Sequence, residues 1–279
     1  MTDAVLQQRL RAARGFVFDI DGTLALADRD LNGYQPLPGA LQTLALLAQR
    51  GTPFVAFTNG STKTPLQLAQ ALGRAGFDLD PARTLTPLSV AVEVFLRKRH
   101  RRVLVLGGEG VWRPLADAGI GVVRSPERAD DADAVLIGWH PAFGRDDLDA
   151  ACRAVWGGAA LYTVSAAATL ASRDGRTLGI SGALAAAVRS VTGKRAVVVG
   201  KPSPTALKVA CARLGAAAAD IAIVGDDPSL ENAMAMRGGA LSVAVHTGLA
   251  GAADFAALPE GQRPHLSLPG VHTLLALLQ

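Results

Sequence analysis

An apolar run, Gly15-Phe-Val-Phe, ends in two carboxylates one residue apart, Asp19 and Asp21, followed at once by Gly22. Phe16, Val17, Phe18 and Ile20 carry the β-branched and aromatic content of a buried strand, and Gly22 lets the backbone turn sharply at its carboxyl end. Ligands of open α/β sheets bind beyond the carboxyl ends of strands, so a strand that delivers two acids to a loop predicts a site there. Taken alone the segment is equally a plain turn, because Asp-Gly is a common turn dipeptide.

Three more segments repeat the pattern of an apolar strand ending in groups suited to phosphate or metal. They are Phe54-Val-Ala-Phe-Thr58-Asn59-Gly60, Ala196-Val-Val-Val-Gly200-Lys201-Pro202-Ser203-Pro204 and Ile221-Ala-Ile-Val-Gly225-Asp226-Asp227. In this order the four resemble the motifs of the haloacid dehalogenase superfamily of phosphohydrolases. The stretch from Thr58 to Lys201 is far longer than one crossover needs, so a whole domain is inserted there. An insert at that point resembles the larger α/β cap of the branch (subfamily IIA) with p-nitrophenyl-phosphatase-like, phosphoglycolate, pyridoxal-phosphate and sugar-phosphate phosphatases. The expected fold is α/β, a doubly wound Rossmann-like core with an inserted α/β cap. Its expected limits are 1–97 for the first part of the core, 98–195 for the cap and 196–279 for the rest of the core.

Local patterns agree with alternating strands and helices. Helices are predicted over about 3–13, over Pro38 to Arg50 with Gly51 as the stop, and after Thr64-Pro65, where threonine caps and proline suits the first turn. Strands at 54–58, 196–199 and 221–224 are predicted to share one sheet. The middle segment has its own apolar strands near Val103 to Leu106, Ala134 to Ile137 and Leu161 to Val164.

The resemblance implies a role for each motif residue. Asp19 is the nucleophile, forming an aspartyl-phosphate. Asp21 is the general acid and then the general base. Alternate side chains of an extended strand share a face, so these two can project together with Ile20 turned away. Thr58, with the Asn59 and Gly60 amides, binds phosphate, and Lys201 offsets the charge of nucleophile and phosphate. The resemblance also implies magnesium, held by the Asp19 carboxylate, the Asp21 backbone carbonyl and Asp226; hard oxygen ligands suit that ion. The residue five after Asp226 is Glu231 where the branch often has aspartate, so either Glu231 or Asp227 supplies the outer carboxylate. In the cap, Tyr162 to Thr169 lies where relatives resemble Thr-Asn-x-Asp, and Val164, Ser165 and Ala167 stand at those polar positions. Ser165, Thr169 and Ser181 are the candidate specificity residues there.

Composition narrows the remaining classes. The chain has 279 residues, 49% hydrophobic and 19% charged, which suits a two-domain globular protein. Apolar runs such as Leu41 to Leu47 are too short for a membrane helix, and the amino terminus has an early acid and no long apolar core, so a cytoplasmic location without membrane association is expected. Cys152 and Cys211 form neither a disulfide framework nor a zinc pattern and are expected to be core thiols. The net charge is a small +4, and the densest basic run is Arg97-Lys98-Arg99-His100-Arg101-Arg102. No aromatic residues interleave with these charges, so the run reads as a solvated helix end, not a nucleic-acid site. The glycines of Gly107-Gly108-Glu109-Gly110 follow an apolar strand, but Arg113 stands where a dinucleotide fingerprint needs its third glycine. Histidines 100, 140, 246, 265 and 272 form no ligand pair and no triad.

The expected activity is magnesium-dependent hydrolysis of a small phosphorylated metabolite through an aspartyl-phosphate. Alternatives are a phosphotransferase or mutase on the same core, or a non-catalytic binding protein of the same fold. Relatives of this branch often pair through their caps, which implies a homodimer.

Overall fold

The computed structural model describes residues 3–28, 33–173 and 175–279. In chain order its strands are β1 (Gly15–Phe18), β2 (Ala25–Ala27), β3 (Tyr34–Pro36), β4 (Phe54–Phe57), β5 (Thr84–Leu85), β6 (Arg102–Leu106), β7 (Gly121–Arg124), β8 (Ala134–Ile137), β9 (Ala160–Thr163), β10 (Thr169–Ser172), β11 (Gly175–Leu178), β12 (Val197–Val198), β13 (Ile221–Gly225), β14 (Leu241–Val245) and β15 (Leu266–Leu268). Two parallel sheets organise them. The first runs β15-β14-β13-β1-β4-β5 and the second β12-β9-β8-β6-β7, with antiparallel ribbons β2-β3 and β10-β11 beside them.

The first sheet is buried on both faces, which is why its strands are continuous apolar runs instead of alternating ones. Phe16 and Phe18 face a layer that includes Leu44, Leu47, Leu68, Leu72 and Leu274. Val17 between them faces the opposite layer, with Leu88, Val94, Leu207 and Met234. The helices that supply these layers carry clear stop and start signals. Thr64 closes a capping box with Gln67 ahead of Pro65–Arg74, and Gly51, at φ 65°, follows the end of Ala40–Gln49. The doubly wound core with an inserted α/β cap is the expected architecture.

The second sheet is the cap's, and one of its faces is continuous with the core. Val103, Val105, Leu136 and Tyr162 belong to the same apolar cluster as Val17 and Phe57. Phe95, from the helix Pro87–Lys98, meets Tyr162 edge-on at 4.9 Å between ring centres, and the Tyr162 hydroxyl lies 3.0 Å from His100 Nε2. The basic run therefore begins on a helix end, as expected, while its histidine turns inward to the tyrosine.

One strand differs from the sequence reading. Residues 196–199 do not join the first sheet: Val197 and Val198 pair with Tyr162 and Thr163 on β9, at the edge of the second. Gly193 ends the helix Ile180–Thr192 in the left-handed region, and that helix packs on the second sheet, so the chain re-emerges beside β9. Val197 is 55% exposed, as an edge strand allows and a central one does not. The ladder then continues through Val199 N to Thr163 O (3.0 Å) and Gly200 N to Val164 O (3.1 Å), which leaves Lys201 hanging from the cap's edge.

Cys152 is buried and Cys211 half-buried, on separate helices. Among the described residues no helix is long and apolar enough to cross a membrane.

Candidate active site

The carboxyl ends of β1, β4 and β13 converge with the loop after β12 on one pocket between core and cap. Its lining includes Asp19, Asp21, Thr58, Asn59, Gly60, Lys201, Asp226, Asp227 and Glu231, together with Ser165, Thr169 and Ser181 from the cap side. Every residue singled out from the sequence for the site thus faces this space. Asp19 follows the last residue of β1, whereas Asp21 already lies in the loop, where the Ile20 carbonyl accepts from the Thr23, Leu24 and Ala25 amides. Both acids reach the pocket while Ile20 is fully buried in the core.

Lys201 is the most constrained group. Its side chain is 1% exposed, and Nζ donates to Asp19 Oδ1 (2.5 Å), lies 2.6 Å from Glu231 Oε1 and donates to the Phe57 carbonyl (2.5 Å). Burial alone would lower its pKa, but the two carboxylates hold it well above the ordinary lysine value. The loop that carries it is fixed from the core: the Asn59 side chain donates to Lys201 O and accepts from Lys201 N. Gly200 makes that approach possible, since a Cβ there would lie 2.4 Å from Val164 O and 2.5 Å from Asn59 Oδ1.

Thr58 Oγ1 donates to Asp21 Oδ2 (3.0 Å) and accepts from Gly60 N (2.8 Å), so the Gly60 amide is turned back on the threonine. Asp21 Oδ1 is enclosed with no hydrogen-bond partner among the described residues. Burial, reinforced by the neighbouring Asp19 charge, pushes the Asp21 carboxyl up to about 7, against the pull of its Thr58 bond and Lys201.

The two acids after Asp226 have separate tasks. Asp227 accepts from Ser229 N and Oγ, both at 2.7 Å, and so caps the turn Pro228–Asn232. Glu231 points inward to Lys201, and Gly225 leaves it room, because a Cβ at 225 would lie 2.2 Å from Glu231 Cγ. Burial also raises the Glu231 carboxyl, against the pull of Lys201.

Asp226 is 3% exposed and accepts from Leu249 N at 2.9 Å. Cβ atoms at Gly22 (φ 98°) and Gly248 would lie 2.6 and 1.7 Å from its Oδ2, so both glycines are required for its seat. Burial, then the charges of Asp19 and Glu231, raise the Asp226 pKa well above that of an ordinary carboxylate. Asp19 and Glu231 share one buried lysine, and Asp226 stands in the field of both acids, a deficit that a divalent cation would offset. Among the described residues no three His, Cys, Asp or Glu side chains form a metal cluster of their own. Magnesium binds through one or two carboxylates while keeping several waters. Hard oxygen donors at Asp19, Asp226 and the Asp21 carbonyl therefore fit it.

Tyr34, Ser61, Trp139, Leu170, Ile180, Leu230 and Leu249 also line the pocket and were not anticipated. Trp139 had a usable signal, two residues beyond the parallel strand β8, where α/β ligands collect. Ser61, Leu230 and Leu249 lie on core loops beside Gly60, Glu231 and Asp226, whereas Leu170 and Ile180 reach the site through the meeting of cap and core.

Sequence and structure comparisons agree with this geometry. A profile of haloacid dehalogenase-like hydrolases matches residues 16–121, and a second, HAD-hydrolase-like profile matches 198–274. The chain is 29% identical to the sugar-phosphatase AraL of Bacillus subtilis over 85% of its own length and 84% of that protein's. It is 30% identical to chronophin of Mus musculus, over 99% of this chain and 97% of the other. A glycerol phosphate phosphatase from Mycobacterium tuberculosis, solved in complex with magnesium, superimposes with a TM-score of 0.83 at 28% identity, over 95% of this chain and 78% of that one. With four strand ends delivering Asp19, Thr58, Lys201 and Asp226 to one pocket, the chain belongs to the haloacid dehalogenase-like hydrolases.

Proposed function

We propose that this protein hydrolyses small-molecule phosphomonoesters with magnesium, through a phosphorylated Asp19. The observation that carries the reading is the contact between Lys201 and Asp19, a buried ammonium held on a buried carboxylate at the pocket floor. An attacking carboxylate must approach an already anionic phosphorus, so catalysis consists of positioning and charge neutralisation.

In the first displacement an Asp19 oxygen bonds to phosphorus as the ester P–O bond breaks, and Asp21 gives its proton to the departing oxygen. Asp21, now ionised, takes a proton from water as the water oxygen bonds to phosphorus and the Asp19–phosphorus linkage breaks, releasing inorganic phosphate and restoring both carboxyls. Thr58 and the neighbouring backbone hold phosphoryl oxygens, and Lys201 balances charge on Asp19 and the phosphoryl group. Asp19, Asp226 and the Asp21 carbonyl would hold a magnesium ion, which would add positive charge beside the phosphoryl oxygens. Glu231 fixes Lys201, and Ser165, Thr169 and Ser181 face the leaving group. A cytoplasmic location belongs to the same reading, as does pairing of two copies through the cap, where Trp156 and Val197 are exposed.

The test is release of inorganic phosphate from a panel of esters in magnesium. Asp19→Asn, nearly isosteric but not nucleophilic, is expected to abolish release while the protein stays folded. Turnover near wild type in that variant would refute the reading, and transfer to a second hydroxyl without phosphate release would point to a phosphotransferase.

A further inference from the structure

Away from the floor, the pocket wall is apolar. Tyr34 from the β2-β3 ribbon, Trp139 beyond β8, Leu170 on β10, Ile180 at the start of its helix, and Leu230 and Leu249 from core loops all line it while only partly buried. Two polar groups of the cap are already bonded within the protein. Ser165 Oγ accepts from Ala167 N (3.1 Å) and Asn59 Nδ2 (3.4 Å), and Ser181 Oγ donates to Ser165 O (3.2 Å).

Charge in the lining is one-sided. Asp19, Asp21, Asp226, Asp227 and Glu231 contribute carboxyls, and the basic side chain is Lys201, already enclosed by Asp19, Glu231 and Phe57 O. Two basic groups outside the lining lie beside acids. Arg173, at the tip of β10-β11, pairs with Asp28 at 3.4 Å, and half-buried Lys63 sits in the field of Asp28 and Asp21. Among the described lining residues a second negative charge on a substrate would find five acids and no cation but the enclosed Lys201, whereas an apolar face would be desolvated against Trp139, Leu170 and Ile180.

Resting on the phosphomonoesterase reading, we propose that this pocket selects esters whose leaving group is uncharged and presents an apolar or aromatic face, and rejects those with a second anionic group. Benzyl phosphate, glycerol 1-phosphate and phosphoglycolate are all esters of primary alcohols and separate this selectivity from differences in leaving-group type. The expected order of kcat/KM is benzyl phosphate, then glycerol 1-phosphate, then phosphoglycolate, with at least about tenfold between first and last. Leu170→Lys and, separately, Ile180→Lys are expected to raise kcat/KM for phosphoglycolate relative to benzyl phosphate, with circular dichroism verifying the fold of each. Asp19→Asn controls the underlying reading: hydrolysis that survives it, or absence of hydrolysis across the panel, refutes the esterase assignment. Asp19-dependent hydrolysis with phosphoglycolate equal to or ahead of benzyl phosphate, or folded lysine variants that leave the ratio unchanged, overturns the selectivity alone.

Discussion

The Asn59 carboxamide satisfies both hydrogen-bonding groups of the Lys201 main chain, donating to its carbonyl at 2.9 Å and accepting from its N–H at 2.8 Å. A side chain of the β4 loop thereby stands in for a neighbouring strand and sets where the lysine's stem begins. Asn59→Ala is expected to lower kcat more than it raises KM, and to cost about 1–3 kcal/mol of stability from the two backbone groups left unpaired. Steady-state kinetics with a denaturation curve checks this; an unchanged kcat would show that Lys201 is positioned without Asn59.

Removing Lys201 should damage both chemistry and folding. Lys201→Ala is expected to raise the barrier by about 2–4 kcal/mol for every ester, because the phosphoryl group is common to all. It also leaves Asp19 and Glu231 buried without their cation, a loss of about 3–5 kcal/mol in stability. The double variant Lys201→Met with Glu231→Leu should recover part of the melting temperature and none of the activity. Recovery of activity would remove Lys201 from the mechanism.

Asp21 sets a pH dependence. With its carboxyl pushed up to about 7 by burial and by Asp19, the acid form is lost as pH rises through that value. Leaving-group protonation then fails, so kcat/KM for an alkyl phosphate should fall above about pH 7. The same limb should be shallow for p-nitrophenyl phosphate, whose leaving group departs as a stable anion, and Asp21→Asn should harm the alkyl ester more. Equal alkaline limbs for both esters would count against Asp21 as the acid.

Chelation of divalent cations is expected to abolish activity and magnesium to restore it. The metal-free protein gives a second readout. Glu231 rises from 4.5 to about 7 on folding and Asp226 rises as well, both chiefly through burial. Groups raised in this way bind more protons folded than unfolded, so their contribution is present at low pH and is lost between pH 4.5 and about 7. The melting temperature of the metal-free form should therefore fall across that window, and the rise on adding magnesium should be largest at its upper end. A magnesium shift independent of pH would place the ion elsewhere.

Thr169→Ala and Ser165→Ala are expected to change relative kcat/KM among esters, since cap groups touch only the leaving group. A uniform loss across unrelated esters would move these residues from selection to chemistry.

Much of the core was legible because β1, β4 and β13 are fully buried apolar runs with chemically distinctive ends, a pattern that a parallel sheet covered on both faces imposes. The run 196–199 looked the same but forms a cap edge, because a short valine run does not reveal which sheet will accept it. Asp227 and Glu231 could not be ranked from spacing, since the turn over Pro228–Asn232 decides which of them points inward. Leu170 and Ile180 carry no local signal at all; they become pocket residues only when the cap closes on the core.

The attachment of β12 to β9 gears the cap to the catalytic charge. Only Val199 and Gly200 separate that strand from Lys201, and both are themselves bonded to the β9 end of the cap. A cap that swung open as one rigid body would carry the lysine's tether with it and pull against the Asn59 clasp. Access to the pocket therefore requires either a bend confined to those two residues or an unzipping of the β12 edge. In both cases Lys201 can stay on Asp19 and in the Asn59 clasp while the cap moves, which keeps the reactive floor assembled as the pocket admits a substrate.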